Sequence, residues 1–421
     1  MKPPFYPVSA VLISLTLAAA AVAGDWPQWH GPTRDCRVSA GSPVPTTLPK
    51  ELATVWKIKI GGGHSSPVVS AGKLVYFDEN GTDEVVHCLD AKTARELWQT
   101  PIAALYTDEW GPGPRSTPVI DGGHVYQQTS SGEFRCLKMS DGKIVWGVSF
   151  EKDYGVKFGG NPKATAARRG NNGTCLVEGD SVYVPVGSTE GATLVCFDKS
   201  TGSVKWKSGN DEAAYSAPVA ARLAGVDQIV YLSADSLAGY DRQSGKILWR
   251  QPVVTNAKRH ACTPVINGDT VTINSHTIGT VCFKISKSDN GLAASQLWAN
   301  KAVKTNLATP AQVGGLLFNQ GTSATKEYVC FDALTGATKW TQTGFGGINK
   351  DYSSSLVLGK NILVLTYSGE LVLIAPNPDK YTELGRLQVC GSTWSFPAYV
   401  DGKLFVRDTK ELSCIDLMAA K

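Results

Sequence analysis

One segment recurs along this chain and constrains it more than any other feature. In CLDAKTARELW (88–98), CLKMSDGKIVW (136–146), CFDKSTGSVKW (196–206), GYDRQSGKILW (239–249) and CFDALTGATKW (330–340), an Asp or Lys stands eight residues before a Trp. Self-similarity of this kind marks a repeat architecture, in which no single unit can bury its apolar face alone. A sixth copy, CFKISKSDNGLAASQLW (282–298), has an expanded turn, and a seventh, LVLIAPNPDKYTELGRL (371–387), has lost its tryptophan. The eighth is split. Cys414-Ile415-Asp416 has no strand after it, ATVWKIKI (53–60) has none before it, and joining the two completes a unit.

Upstream of each copy lies a second unit, a small residue and proline followed by alternating apolar residues around a glycine turn. Examples are SSPVVSAGKLVYF (65–77), STPVIDGGHVYQQ (116–128), CTPVINGDTVTIN (262–274) and SFPAYVDGKLFVR (395–407), with TCLVEGDSVYVPV (174–186) carrying Cys for Pro. Period-2 alternation broken by Gly, Asp and Asn reads as short strands and hairpins, and no long 3.6-residue period competes. Each unit is then four strands, with the Asp-x-x-Thr/Ser-Gly element a tight turn whose glycine takes positive φ. The expected fold is all-β, an eight-bladed β-propeller closed by an N-terminal strand that completes the last blade. Blades are expected at about 65–98, 116–146, 174–206, 216–249, 262–298, 308–340, 353–387 and 395–416 plus 53–60. Trp56, Trp98, Trp146, Trp206, Trp249, Trp298 and Trp340 form their structural motif. A stack of open β-sandwiches is the alternative, but tandem domains would not need a split unit.

Outside the 53–416 ring lie a 24–52 extension and a 417–421 tail. Residues 1–23 combine Lys2, an apolar run from Val8 to Ala21 and Ala21-Val22-Ala23, the shape of a cleaved signal peptide. An uncleaved anchor is the competing reading. No cysteine follows that site, which argues against lipidation, and no later apolar run is long enough to span a bilayer. A periplasmic or secreted, monomeric protein is expected. Basic and acidic residues, 41 and 37, are scattered without a dense Lys/Arg stripe, so nucleic-acid binding is not indicated.

The Cys-x-Asp-x-x-Thr-Gly-x-x-x-Trp copies resemble the tryptophan-docking repeats of the pyrroloquinoline-quinone-like (PQQ-like) propeller superfamily, which includes quinoprotein alcohol dehydrogenases and BamB-like scaffolds. Trp26-Pro27-Gln28-Trp29-His30-Gly31-Pro32 is similar to the start of exported bacterial proteins with these repeats. The resemblance covers roughly 53–416 and implies the fold more strongly than an activity. It leaves two functions open. One is a non-catalytic scaffold or binding protein of the cell envelope, BamB-like in architecture, with no cofactor expected. The other is a PQQ-dependent oxidoreductase acting on alcohols or sugars, with PQQ and calcium in the channel mouth. For the second, the dehydrogenases' vicinal disulfide is missing, and no Glu/Asn/Asp calcium set can be matched.

Cys88, Cys136, Cys196, Cys282, Cys330 and Cys414 share one slot, two residues before the Asp or Lys. Equivalent slots on different blades lie too far apart to bridge, so these read as small buried residues beneath the tryptophans. One pair among Cys36, Cys175, Cys262 and Cys390 can bridge. The six histidines show no metal-ligand spacing, and no metal site is expected.

In a propeller, residues just before each inner strand gather around one mouth of the channel. That ring collects His64, Arg115, Arg169, Asn171, Tyr215, Arg259, His260, Asn306, Lys350, Asp351 and Trp394 as candidate ligand-binding residues. It is rich in cations, with Asp351 the clearest acid, which favours an anionic small molecule. Tyr215, Tyr352 and Trp394 offer aromatic faces for a glycan, and an envelope protein is the third kind of partner. No nucleophile with its base and no spaced carboxylate pair stands out, so no catalytic residue is assigned. The 147–173 connection, with Lys152, Lys157, Lys163, Arg168 and Arg169, is the longest insertion between blades.

Overall fold

The structure, a computed structural model, describes residues 24–158, 169–255, 258, 260–305, 307–321, 327–345 and 352–419. The expected signal segment lies outside them, as do Arg259, Asn306, Lys350 and Asp351. Eight four-stranded antiparallel sheets form the blades of a propeller. Blade 1 is Val68–Ser70, Lys73–Asn80, Asp83–Asp90 and Glu96–Ala104. Blades 2 to 7 follow at 119–149, 176–208, 219–252, 265–300, 311–342 and 353–388. Blade 8 holds Ala398–Val400, Lys403–Arg407 and Glu411–Asp416, and its fourth strand is Thr54–Lys59 from the other end of the chain. The ring closes as the split repeat foretold.

The repeat chemistry explains how blades bind one another. The Asp of the turn accepts from groups ahead of it, as Asp90 Oδ1 does from the Thr93 hydroxyl at 2.8 Å and Thr93 N at 2.9 Å, and these bonds hold its carboxyl below the usual range. The turn glycines Gly142, Gly202, Gly245 and Gly336 have φ of 71–73° and sit under the tryptophan of the preceding blade. That tryptophan donates its indole N–H to the carbonyl one residue past the Asp slot: Trp98 to Met139, Trp146 to Lys199, Trp206 to Arg242, Trp298 to Ala333, and Trp56 to Ala91 across the closure. Trp340 reaches Asn377 in the blade without a tryptophan.

Trp249 is the exception. Blade 5 has the expanded turn and offers no docking carbonyl, so Trp249 bonds Gln228 of its own blade. This accounts for Gly239 in the cysteine slot, since a Cβ there would lie 2.2 Å from the Trp249 Nε1. The six slot cysteines are buried and unbridged, paired in register with their tryptophans or, in Cys414, with Trp56. Cys36, Cys175, Cys262 and Cys390 are also unbridged.

The 24–52 extension is a strap. Trp26 and Val69 exchange two 2.8 Å backbone bonds on blade 1, and Pro27 O accepts from Ile120 N on blade 2. Arg34 is buried, donating to Cys175 O beside blade 3, to Pro218 O beside blade 4 and to Gln28. Trp29 donates to Thr263 at blade 5, Arg37 to Gln312 of blade 6, Val38 pairs with Val357 of blade 7, and Pro43 accepts from Tyr399 of blade 8. The strap thus lies along one mouth of the ring and touches every blade.

Candidate functional site at the open mouth

Inner strands run in one direction through the disc, and the strap meets them at and beyond their proline level. Residues three or four positions before the proline therefore ring the opposite mouth, where connections between blades also lie. Blade 1 leads to blade 2 through a small hairpin, Thr107–Asp108 and Gly111–Pro112, which leans over this mouth. Arg115 donates to both oxygens of Asp108 at 2.6 and 2.7 Å, the forked geometry that guanidinium favours. Burial alone would raise the Asp108 carboxyl, but Arg115 and the Trp110 N–H outweigh it and hold it below the usual range. Arg169 pairs with Glu109 of the same hairpin and lays its guanidinium over the Trp110 ring, 5.5 Å from the centroid.

The sequence places these arginines among the rim cations that favour an anionic ligand. Their partners, Asp108 and Glu109, come from a loop with no repeat signal, and residue spacing gave no hint of the pairing. Arg115 and Arg169, the described arginines of the ring, are thus each paired with an acid of the hairpin.

Aromatic rings continue the surface. Trp110 meets Trp394 edge to face at 5.7 Å, and Trp394 in turn contacts His64 at 4.6 Å and Tyr367 at 6.1 Å. Tyr215 lies across the mouth, its N–H bonded to His260 O. Two predicted members are turned into the wall. Asn171 is buried between blades 2 and 3, donating to Pro185 O at 2.7 Å and accepting from Gln128. His260 is buried with Nε2 on Val253 O, and burial lowers its affinity for a proton. Among its described residues the long connection forms a short helix, Phe150–Tyr154, and brings Arg169 to the mouth. Lys163 and Arg168 lie outside the described residues.

A second polar cluster was not read from the sequence. His87 of blade 1 sits between Asp78 (3.0 Å) and Glu96 (2.8 Å) and stacks on Tyr76. Nearby Arg407 of blade 8, fully buried, donates to Phe77 O, Gly61 O and Gly63 O, fastening the last blade to the first. No group of three or more His, Cys, Asp or Glu side chains among the described residues is arranged to hold a metal ion. No described helix is long and apolar enough to cross a membrane.

The profile of a protein family described as outer membrane protein assembly factor BamB matches residues 51–146 and 82–342. An outer membrane protein assembly factor BamB from Yersinia pestis is 28% identical over 194 residues, which is 45% of this chain and 44% of that protein. The match therefore spans less than half of that relative's length. Among solved structures, BamB from Moraxella catarrhalis aligns with a TM-score of 0.58 at 14% identity, covering 88% of this chain and 99% of that one. The quinohemoprotein alcohol dehydrogenase of Comamonas testosteroni gives 0.50 at 14% identity, over 96% and 82%. At such identities these structural likenesses show the fold.

Proposed function

Because this chain belongs to the family described as outer membrane protein assembly factor BamB, within the PQQ-like propellers, we propose that it is an exported, non-catalytic propeller that docks another protein of the cell envelope. The surface used is the open mouth and its surrounding blade connections, in the periplasm or outside the cell. The observation that carries this reading is the contrast between the two mouths. The strap occupies one through contacts to every blade, while the other presents loops whose arginines are already matched by acids of the same chain. Rigid scaffolds commonly carry their binding contacts on such connecting loops.

The quinone branch of the superfamily implies PQQ with calcium, and the described mouth fits that pair poorly. Arg115 and Arg169 are held by Asp108 and Glu109 instead of being free for the quinone's carboxylates. The described residues also offer no cluster of acidic donors for a hard dication, which takes six to eight oxygens. An anionic small molecule would have to displace the same acids.

The test is to mix the mature chain with PQQ and calcium, then look for a stoichiometric chromophore and for dye reduction with ethanol or glucose. Neither is expected. Turnover with bound quinone would overturn the reading.

A further inference from the structure

The open mouth carries a second feature that protein docking does not use. Two residues before the inner-strand proline, or its counterpart Leu356, blades 1, 2, 4, 7 and 8 place Ser65, Ser116, Ser216, Ser354 and Ser395. On blade 4 the hydroxyl is spent within the protein, Ser216 donating to Leu232 O at 2.6 Å, and on blade 2 Ser116 points to Asn171 O at 3.5 Å. On the three consecutive blades 7, 8 and 1 the pattern changes. Ser354, Ser395 and Ser65 are at most 2% exposed, and their hydroxyls have no hydrogen-bond partner.

Buried hydroxyls without partners cost free energy, so a run of them on adjacent blades marks a place where a ligand's polar groups complete the bonding. Ser65 and Ser395 directly follow His64 and Trp394 in the chain, and those two rings are in contact. Trp110, 41% exposed on the hairpin, adds an aromatic face at the same spot. Aromatic rings beside uncharged hydroxyls, with the nearby arginines neutralised, match a ligand that has hydroxyl groups, apolar C–H faces and no net charge.

We propose that blades 7, 8 and 1 at the open mouth bind the end of a neutral oligosaccharide, stacked on Trp394 and Trp110 and hydrogen-bonded by Ser65, Ser354 and Ser395. This goes beyond the docking reading and does not rest on it. Its failure would leave protein docking standing, because that is tested by protein crosslinks.

The experiment follows tryptophan fluorescence and binding heat while cellohexaose, xylohexaose, mannohexaose and the hexamer of N-acetylglucosamine are titrated into the mature chain. At least one should give a saturable response that changes little between about 50 mM and about 500 mM salt, as fits an uncharged ligand. Trp394→Ala should abolish it. The double variant Ser65→Ala, Ser395→Ala should keep the melting temperature and weaken binding about three- to tenfold or more. The absence of a saturable response to all four sugars would overturn the proposal. So would unchanged affinity in the folded serine double variant.

Discussion

Leu48 of the strap packs onto Gly385 of blade 7, at the position where every other blade carries its tryptophan. The register is explicit: Gly385 pairs with Leu373 just before the bulge, as Trp98 pairs with Cys88 and Trp340 with Cys330. A Cβ on Gly385 would lie 3.0 Å from the Leu48 Cβ and backbone nitrogen, and its φ is +154°. In the seventh blade the N-terminal segment occupies the space beside the position where the other blades carry a tryptophan.

Restoring the consensus residue should therefore harm the protein. Gly385→Trp is expected to destabilise by about 1–3 kcal/mol through overpacking and to detach the strap end. Denaturant midpoints read the first effect. Hydrogen exchange of 43–50 reads the second.

Ala94 occupies the slot that is glycine in blades 2, 3, 4 and 6, with φ of 59° beneath Trp56. A left-handed alanine costs about 1–2 kcal/mol, partly offset by the greater chain entropy of glycine. Ala94→Gly should raise stability by about 0.5–1 kcal/mol and slow exchange at the closing strand, Thr54–Lys59. A lower melting temperature would contradict this.

Arg407→Leu should open the ring at its seam. It leaves the carbonyls of Phe77, Gly61 and Gly63 without their donor, and bonds to a charged group are worth about 1.5–3 kcal/mol. Faster exchange should appear in 54–63 and 411–416 before any other blade.

Stability should fall from mildly acid to mildly alkaline pH. Burial disfavours a charged His87, but Asp78 and Glu96 outweigh it and raise its proton affinity. Its contribution is complete below the unfolded value near 6.5 and is lost as pH rises through the folded one. Burial also pushes the Glu84 carboxyl up to about 8, against the opposing pull of the Tyr106 backbone and Arg115. That group likewise favours the folded state below its unfolded value near 4.5 and ceases to as pH rises through 8. Glu84→Gln should flatten the slope and be the more stable protein at about pH 9. Midpoints in urea from pH 5 to 9 check both signs.

The blades, their tryptophans and the split closure were legible because each repeats a local pattern of strand, turn and apolar residue. What escaped has no period. Asp108 and Glu109 reach Arg115 and Arg169 through an irregular hairpin, and the strap finds eight blades through scattered backbone and side-chain bonds. Trp249 looked like the other six in sequence, yet its partner was decided by the expanded turn of the next blade. Of the candidate ring, Asn171 and His260 proved to be wall residues, because distance from the proline alone does not say which way a side chain turns.

Position-resolved photocrosslinking tests the central claim most directly. A photoreactive residue replaces Val254, on the open-mouth face, or Leu334, on the strap-side turns; these are 69% and 75% exposed. In cells exporting the chain, the account expects a discrete crosslink to an envelope protein from 254 and none from 334. Crosslinks from 334 alone would contradict it.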